Sequence, residues 1–522
     1  MSGRWVASIA TCVLGLSCGP SPRPADVVVF ASGSDLESAN PLVTIHPLSR
    51  QVQRHVLFVT LVRYDSTLAF QPYFARSWRW DAQRRSVTMR LAPDLTWHDG
   101  APTTAHDVVF TLMQARNPRV GFARSADLAV LDTAIAESNG VVTLRFGSAQ
   151  RDLPPLLAEL PIVPRHRLAG TAPGEMRRAE FGVAPVGNGP FRFVSRVPGQ
   201  HWTFQRNDKF PTALGGPPHI RQLVIAVVDE ATTKFAGLSA GDLDFAGIAP
   251  TMAHLAQRDP AIEVLSYPVL FSNALVFNTQ RKPFNDVRVR RAIDATVNRQ
   301  RIIDAALAGY ATPASGPAPP ENPFALVGTT TPNPELADSL LDAAGYRRGA
   351  DGRRPLELEL LTVGSGDNAV EQLLQADFAE RGIRLDIRQL ELAAFLARAR
   401  STEKQFDLLI TGIPGDLSFA FLGAMFESSQ TGSSLDYAGF HSRTLDTLFT
   451  KARNASNPAE LTAAWHEVQR ELAAAMPVVW LYHSRGVQGV ATRMHNVVMD
   501  LRGELTSVTR WTTGAPGAMA TR

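Results

Sequence analysis

The sequence predicts an α/β protein of at least two lobes, on three observations. The chain is 522 residues long, beyond the roughly 250–300 residues at which a single hydrophobic core stops growing. Through its second half, short apolar runs of strand length alternate with segments of helical periodicity, the pattern of a mixed or parallel sheet covered by helices. Apolar residues make up 45% and charged residues 19%. No fixed-period repeat and no single-residue bias is visible, so neither a solenoid nor a disordered chain fits.

The elements follow in order. Val27-Val-Val-Phe30 is a compact apolar run and reads as a buried strand, followed by a loop over residues 34–41 (SDLESANP). Apolar residues at Val52, Val56, Leu57 and Val59, set among basic ones, predict an amphipathic helix over residues 47–62. Alternation at 78–80 and 87–91 predicts two antiparallel strands joined by the polar turn Asp81 to Arg85. Thr103 and Thr104 are candidate caps for a helix through Met113, whose early Asp107 suits the positive end of the macrodipole. The turn Gly187-Asn-Gly-Pro190 precedes alternating strands at 191–194 and 202–205, and 223–228 is a continuous apolar strand. Further strands are expected at 274–277, 356–362, 383–390 and 406–410, with helices over 287–307 and 368–381.

Composition limits the function. The formal net charge is +3, from 52 basic and 49 acidic residues, with no basic run, so nucleic acid is a poor partner. Both cysteines, Cys12 and Cys18, fall at the amino terminus, which excludes a disulfide framework or a cysteine metal site in the folded body. Residues 1–18 carry one positive charge at Arg4 and an apolar stretch from Trp5 to Leu16, the outline of a signal peptide too short to span a bilayer permanently. Cys18 ends this segment as the lipidated cysteine of a lipoprotein signal would, although Gly15 stands where that pattern has leucine. The alternative is an ordinary secretory signal with an incidental cysteine. Pro20, Pro22 and Pro24 give residues 19–25 the stiffness of a tether.

Three patterns invite an enzymatic reading. Gly237-Leu-Ser-Ala-Gly241 matches the nucleophile elbow of hydrolases, but that serine belongs on a strand-to-helix turn, and here a helical segment precedes it and a strand follows. His98-Asp99 and His106-Asp107 offer metal-ligand types, with a turn and a helix start as the plainer reading. Asp242 and Asp244 share a strand face, and a solvated pair is expected because nothing nearby separates their pKa values. No trio of nucleophile, base and orienter emerges, and the chain is expected not to be an enzyme.

Ordered phrases across nearly the whole chain resemble the family 5 extracellular solute-binding proteins, the dipeptide, oligopeptide and nickel receptors of ABC importers. They include Leu61-Val-Arg-Tyr-Asp65, Arg76-Ser-Trp78, residues 91–110 (LAPDLTWHDGAPTTAHDVVF), Gly187-Asn-Gly-Pro-Phe191, Gly241-Asp-Leu-Asp244, Phe277-Asn-Thr-Gln280, residues 283–293 (PFNDVRVRRAI) and Leu341-Asp-Ala-Ala-Gly-Tyr346. The arginines of 287–291 are expected to form a solvated helical face.

The resemblance implies a two-lobed periplasmic-binding-protein fold, class II and of the large peptide-receptor type, with an extra subdomain and a hinge. The implied layout is residues 26–47, 183–267 and 483–522 in the first lobe, 48–182 as its additional subdomain, and 268–482 in the second lobe. The implied function is an extracytoplasmic receptor that encloses a small ligand, most simply a dipeptide or oligopeptide, and hands it to ABC permease subunits. A cationic or apolar small molecule, an oligosaccharide or a metal chelate are the other cargoes, and a secreted hydrolase is the remaining alternative. The protein would be a monomer without cofactor or metal, held at the membrane by a lipid on Cys18.

Peptide-binding relatives anchor the ligand's ammonium group with an aspartate, and in residues 411–422 (TGIPGDLSFAFL) Asp416 matches it, flanked by Gly415 and Leu417. A carboxylate opposite a ligand cation is a strong, orienting contact. Ile413 replaces the family tryptophan, and the following segment is shorter and more apolar than the family's. The other reading of Asp416 is a cap for the next helix.

Overall fold

The computed structural model describes residues 23–514, apart from 45, 364–367, 418, 433–434 and 456. The expected signal segment with Cys18, and most of the tether, lie outside the described residues.

One eleven-stranded mixed sheet runs through the molecule. From one edge its order is Arg384–Leu390, Glu357–Val363, Leu408–Pro414, Ile262–Phe277, Val478–Ala491, Phe245–Gly247, Val27–Ser32, Gln222–Val227, His201–Arg206 and Phe191–Val197, with Ala311–Pro313 also paired to Val478–Ala491. The two long central strands join the lobes. Ile262 to Pro268 lies opposite Ala491 to Arg485, and Ser272 to Val276 lies opposite His483 to Val478, with register slips between Pro268 and Ser272 and between Asn273 and Ala274. The outer part of this ribbon pairs with Phe245–Gly247 and the inner part with Leu408–Pro414, so the slips fall where the sheet passes from one lobe to the other. Such slips bend a strand and increase its twist.

The first lobe has one continuous core from Val28 to Trp511, including the buried Trp97 and Trp202. It extends into a separate antiparallel sheet of Ala75–Trp80, Ser86–Leu91, Val141–Phe146 and Leu131–Ser138, covered by the helix Ala105–Arg116. That helix starts as its sequence suggests: Thr104 donates its backbone N–H to Asp107 Oδ2 at 2.8 Å. The second lobe has a core on each face of its sheet. Leu409 and Ile413 point into one and Leu408 and Ile410 into the other, which is why this strand has no polar face.

Several elements differ from expectation. The helix expected over 47–62 runs only through Pro47–Val52 and a π turn, Gln53–Leu57, before Phe58 turns extended. The cause is the Gly187–Gly189 segment, which clamps the chain there. Leu57 O accepts from the N–H groups of Asn188 and Gly189, and Val59 N–H donates to the buried Asn188 Oδ1 at 3.0 Å. A Cβ on Gly187 would lie 2.1 Å from Leu57 O, so only glycine allows this approach. The segment 287–307 forms two helices, Val287–Thr296 and Arg299–Ala306, because Asn298 caps the second by accepting from Arg301 N–H. The strand expected over 406–410 is Leu408–Pro414, its register set by Phe271 to Phe277 on the neighbouring strand.

Two charge readings are also corrected. Asp244 is fully buried rather than solvated: it accepts from Val29 N–H at 2.8 Å and pairs with Arg23 at 2.9 Å and Arg493 at 2.7 Å. Arg290 leaves the expected solvated face and is buried, donating to the carbonyls of Phe284, Ala475 and Met476. It thereby satisfies open carbonyls at the end of the helix Pro458–Ala475.

Candidate ligand site

The strand Leu408–Pro414 leads into Gly415, Asp416 and Leu417, and then into the helix Ala420–Phe426. Gly415 donates its N–H to Leu270 O at 2.9 Å, which fixes the chain against the neighbouring long strand. Leu417 is buried. The half-buried Asp416 accepts the N–H of Phe421 through Oδ2 at 3.0 Å. Phe419 adopts φ +63°, which starts the helix abruptly and brings that N–H round to the carboxylate. Asp416 therefore does cap the helix. A carboxylate has about four lone-pair sites, and the one used here fixes the orientation of the group.

The charge of Asp416 reaches across to the first lobe. Burial lowers the affinity of the Arg124 guanidinium for its proton, but Glu159, Asp127 and Asp416 together hold it above its ordinary value. Burial, with help from Glu159 and Asp416, also raises the Tyr64 phenol.

Behind Arg124 lies a cluster of charge that the sequence pattern does not single out. Glu159, at the end of the short helix Leu156–Glu159, accepts from Arg50 at 2.6 Å and from Arg124 through the same oxygen, Oε2. Arg124 also pairs with Asp127 at 2.7 Å. Burial favours the neutral form of Glu159, yet Arg124, Arg50 and Arg54 hold its pKa at about 2. Arg54 is pushed down to about 10, by burial first and by Arg50 next. Glu159 Oε1 and Arg54 Nε are buried without a hydrogen-bond partner. Thr44, Arg50, Gln53, Phe122, Arg124 and Glu159 help to line a void of about 20 Å³, room for one water. Arg50 and Arg54 lie four residues apart on one helical segment, the single local signal in the sequence for this cluster.

At the lobe junction, Phe271 is 41% exposed, and its ring lies over Gly412, where a Cβ would come within 2.0 Å of it. Nearby, Ser272 Oγ and His483 Nδ1 are 2.8 Å apart and both residues are buried; burial lowers the imidazole to about 4.

The residues that invite an enzymatic reading do not converge. Ser239 ends the helix Ala231–Ser239 and its hydroxyl meets Asp259. His98 turns Nε2 to Gly189 O at 3.0 Å, whereas His106 is exposed on its helix. Asp99 pairs with His166 at 2.8 Å, and Asp107 accepts from Arg165 N–H at 2.9 Å. Asp242 stays exposed while Asp244 is buried. Among the described residues, no group of three or more His, Cys, Asp or Glu side chains is arranged to hold a metal, and no helix is long and apolar enough to cross a membrane.

The fold and the phrases have counterparts in known proteins. Protein XP55 of Streptomyces lividans is 26% identical over 493 residues, covering 92% of this chain and 87% of that protein. The structure of CtaP from Listeria monocytogenes, an ABC transporter substrate-binding protein, superposes with a TM-score of 0.84 at 18% identity, covering 93% of this chain and 99% of the other. The oligopeptide-binding protein AppA from Bacillus subtilis, solved with a nonapeptide, superposes with a TM-score of 0.78 at 20% identity, covering 94% of this chain and 99% of the other. The model of the bacterial extracellular solute-binding proteins, family 5, matches residues 69–433, more than half of the sequence. The chain belongs to the family 5 bacterial extracellular solute-binding proteins, the binding components of ABC importers.

Proposed function

We propose that this receptor carries a peptide, enclosed between its lobes with the peptide's ammonium group on Asp416, and passes it to the permease of an ABC importer. The observation that carries this reading is the position of Asp416: held on the second lobe by the start of a helix, its charge acts on Tyr64 and Arg124 of the first. A ligand that meets both sides stabilises the closed arrangement because its contacts are complete only there. Gly415 and Leu417 hold the loop, and Leu417 keeps its underside dry. The peptide in the AppA structure supports cargo of this class on this fold.

Several parts of the reading go with it. Residues 1–18 direct export, Cys18 takes a lipid anchor, residues 19–25 tether the body, and the receptor works as a monomer. It performs no chemistry on its cargo, in keeping with the scattering of Ser239, His98 and His106. The first lobe comprises 26–47, 183–267 and 483–522, with 48–182 as its subdomain and 268–482 as the second lobe. Supporting these limits, the register slips of the long strands fall at Pro268 to Ser272, opposite the step from Arg485 to His483. Closure would pivot there.

The test is thermal stabilisation of the purified chain by a short-peptide library, which should follow one-site mass action. Asp416→Asn keeps an acceptor for Phe421 N–H and removes the charge. It should weaken free-amine peptides by roughly tenfold or more, as expected for a charged hydrogen bond, and leave N-acetylated peptides unaffected. Equal affinity of wild type and variant for free-amine peptides would remove Asp416 from the site. Stabilisation by a sugar or metal chelate, and by no peptide, would overturn the cargo class.

A further inference from the structure

We propose that Asn139, at the tip of the hairpin between Leu131–Ser138 and Val141–Phe146, is a site of spontaneous modification. Its side-chain amide is lost to attack by the backbone nitrogen of Gly140 and replaced by a carboxylate, mostly as isoaspartate.

The chain contains two Asn-Gly dipeptides, Asn139-Gly140 and Asn188-Gly189. Glycine after asparagine favours this chemistry because no Cβ shields its nitrogen from the neighbouring amide carbon. The Gly140 nitrogen bonds to Asn139 Cγ and gives up its proton as ammonia leaves, which closes a succinimide ring. Water then opens the ring at one of its two carbonyls. One opening restores the ordinary peptide bond and leaves aspartate; the other routes the main chain through Cγ and leaves isoaspartate. Water is the sole co-reactant, and nothing is oxidised or reduced.

The structure gives the two dipeptides opposite surroundings. Asn139 and Gly140 are both exposed, and a Cβ at Gly140 would meet nothing within 4 Å. Among the described residues, the Asn139 side chain forms no hydrogen bond. The Gly140 N–H reaches only Ser138 Oγ, at 3.4 Å. The turn is held by its carbonyls instead: Asn139 O accepts from Ala105 N–H at 2.8 Å and Gly140 O from Leu91 N–H at 2.9 Å. The hairpin is thus fixed while the amide and the attacking nitrogen stay open to water.

Asn188 is fully buried. Its Oδ1 accepts from Val59 N–H at 3.0 Å, its Nδ2 donates to Thr103 Oγ1 at 3.4 Å, and the Gly189 N–H is engaged by Leu57 O at 2.8 Å. Attack there requires the clamp to open, and packed core segments open rarely. The dipeptide is the same, so the fold decides between the two sites.

Each event adds one negative charge and takes the formal net charge from +3 to +2. In isoaspartate the former Asn139 carbonyl becomes a free carboxylate beside Ala105 N–H, at the start of the helix Ala105–Arg116, where negative charge is favoured. The lengthened backbone draws Gly140 O away from Leu91. The helix therefore tolerates the change, and the strand end loosens.

The experiment ages the purified chain at neutral pH in water enriched in heavy oxygen and maps its peptides by mass spectrometry. Asn139 should convert with uptake of one solvent oxygen, isoaspartate exceeding aspartate, and Asn188 should react at least roughly tenfold more slowly. Isoaspartate marks the cyclic route, since direct hydrolysis of the amide yields aspartate alone. In urea above the unfolding midpoint the two sites should react at similar rates, because only the fold separates them. Gly140→Ala has room for its Cβ and a φ outside the left-handed region, so it keeps the hairpin and should slow Asn139 severalfold. Equal rates at Asn139 and Asn188 in the folded chain, or aspartate without isoaspartate, would overturn the inference. So would an Asn139 that stays intact in the folded chain while the unfolded chain reacts.

Discussion

Asp244 shows how a single buried charge organises distant parts of the chain. Its carboxylate gathers Arg23, Arg493 and the N–H of Val29, and replacing it with asparagine leaves two arginines facing a neutral amide. Asp244→Asn should cost about 3 kcal/mol, the range for breaking a buried pair, measured by urea unfolding. His483 supplies a pH effect. Its imidazole is held at about 4 by burial, against the ordinary 6.5. Above pH 6.5 neither the folded nor the unfolded chain holds the proton. Between 6.5 and 4 only the unfolded chain binds it, so stability falls as pH falls, by up to about 3 kcal/mol. His483→Gln should flatten that part of the stability profile. The proposed role of Asp416 comes from the phrase that surrounds it in the sequence. Arg50, Arg54, Arg124 and Glu159 are not legible there, because each reads alone as a surface charge and only folding brings the four together. Asp244 misleads for the opposite reason: beside the exposed Asp242 it looks like half of a solvated pair, and burial is set by partners about 220 and 250 residues away.

Among the elements, the Gly187-Asn188-Gly189 clamp decides where the first helical segment ends. Adding a methyl group at Gly189 places it 2.6 Å from the Leu57 carbonyl carbon, a backbone atom that cannot swing aside. Gly189→Ala should cost at least about 2 kcal/mol through overpacking and lower the melting temperature, while the same change at the open Gly140, which has nothing within 4 Å, should be nearly silent. Elements with strong local periodicity, such as Val27–Ser32, Ala105–Arg116 and Glu357–Val363, are readable from sequence. The limits of Pro47–Val52 and Leu408–Pro414 are not, because a partner strand or a packed glycine sets them. The strands Leu131–Ser138 and Val141–Phe146 and the helices Arg443–Arg453 and Pro458–Ala475 lie in stretches where no element is expected from pattern. Leu131–Ser138 alternates only weakly, and its side chains are mostly half-buried or exposed.

At the scale of the molecule, the α/β class and the two lobes follow from length and alternation, whereas the single sheet running through both does not. It depends on Ile262–Phe277 and Val478–Ala491, which are far apart in sequence and longer than the strand signals within them. If the register slips are the pivot, a bound ligand should reduce the radius of gyration in solution scattering. At a ligand concentration near the wild-type Kd, Asp416→Asn should show clearly less compaction than wild type. Absence of compaction in wild type at saturating ligand would remove the closure step.

The Asp244 junction has a mechanical consequence. Val27–Ser32 lies inside the sheet, parallel to Gln222–Val227 on one side and to Phe245–Gly247 on the other. Tension on the chain ahead of Arg23 meets the Asp244 ion pairs first and is then directed along the strand axis. In that geometry the hydrogen bonds to Gln222–Val227 and Phe245–Gly247 are loaded together in shear and cannot be peeled one at a time. A tether attached there would hold the receptor by the stiffest part of its first lobe and leave the second lobe free to swing under load.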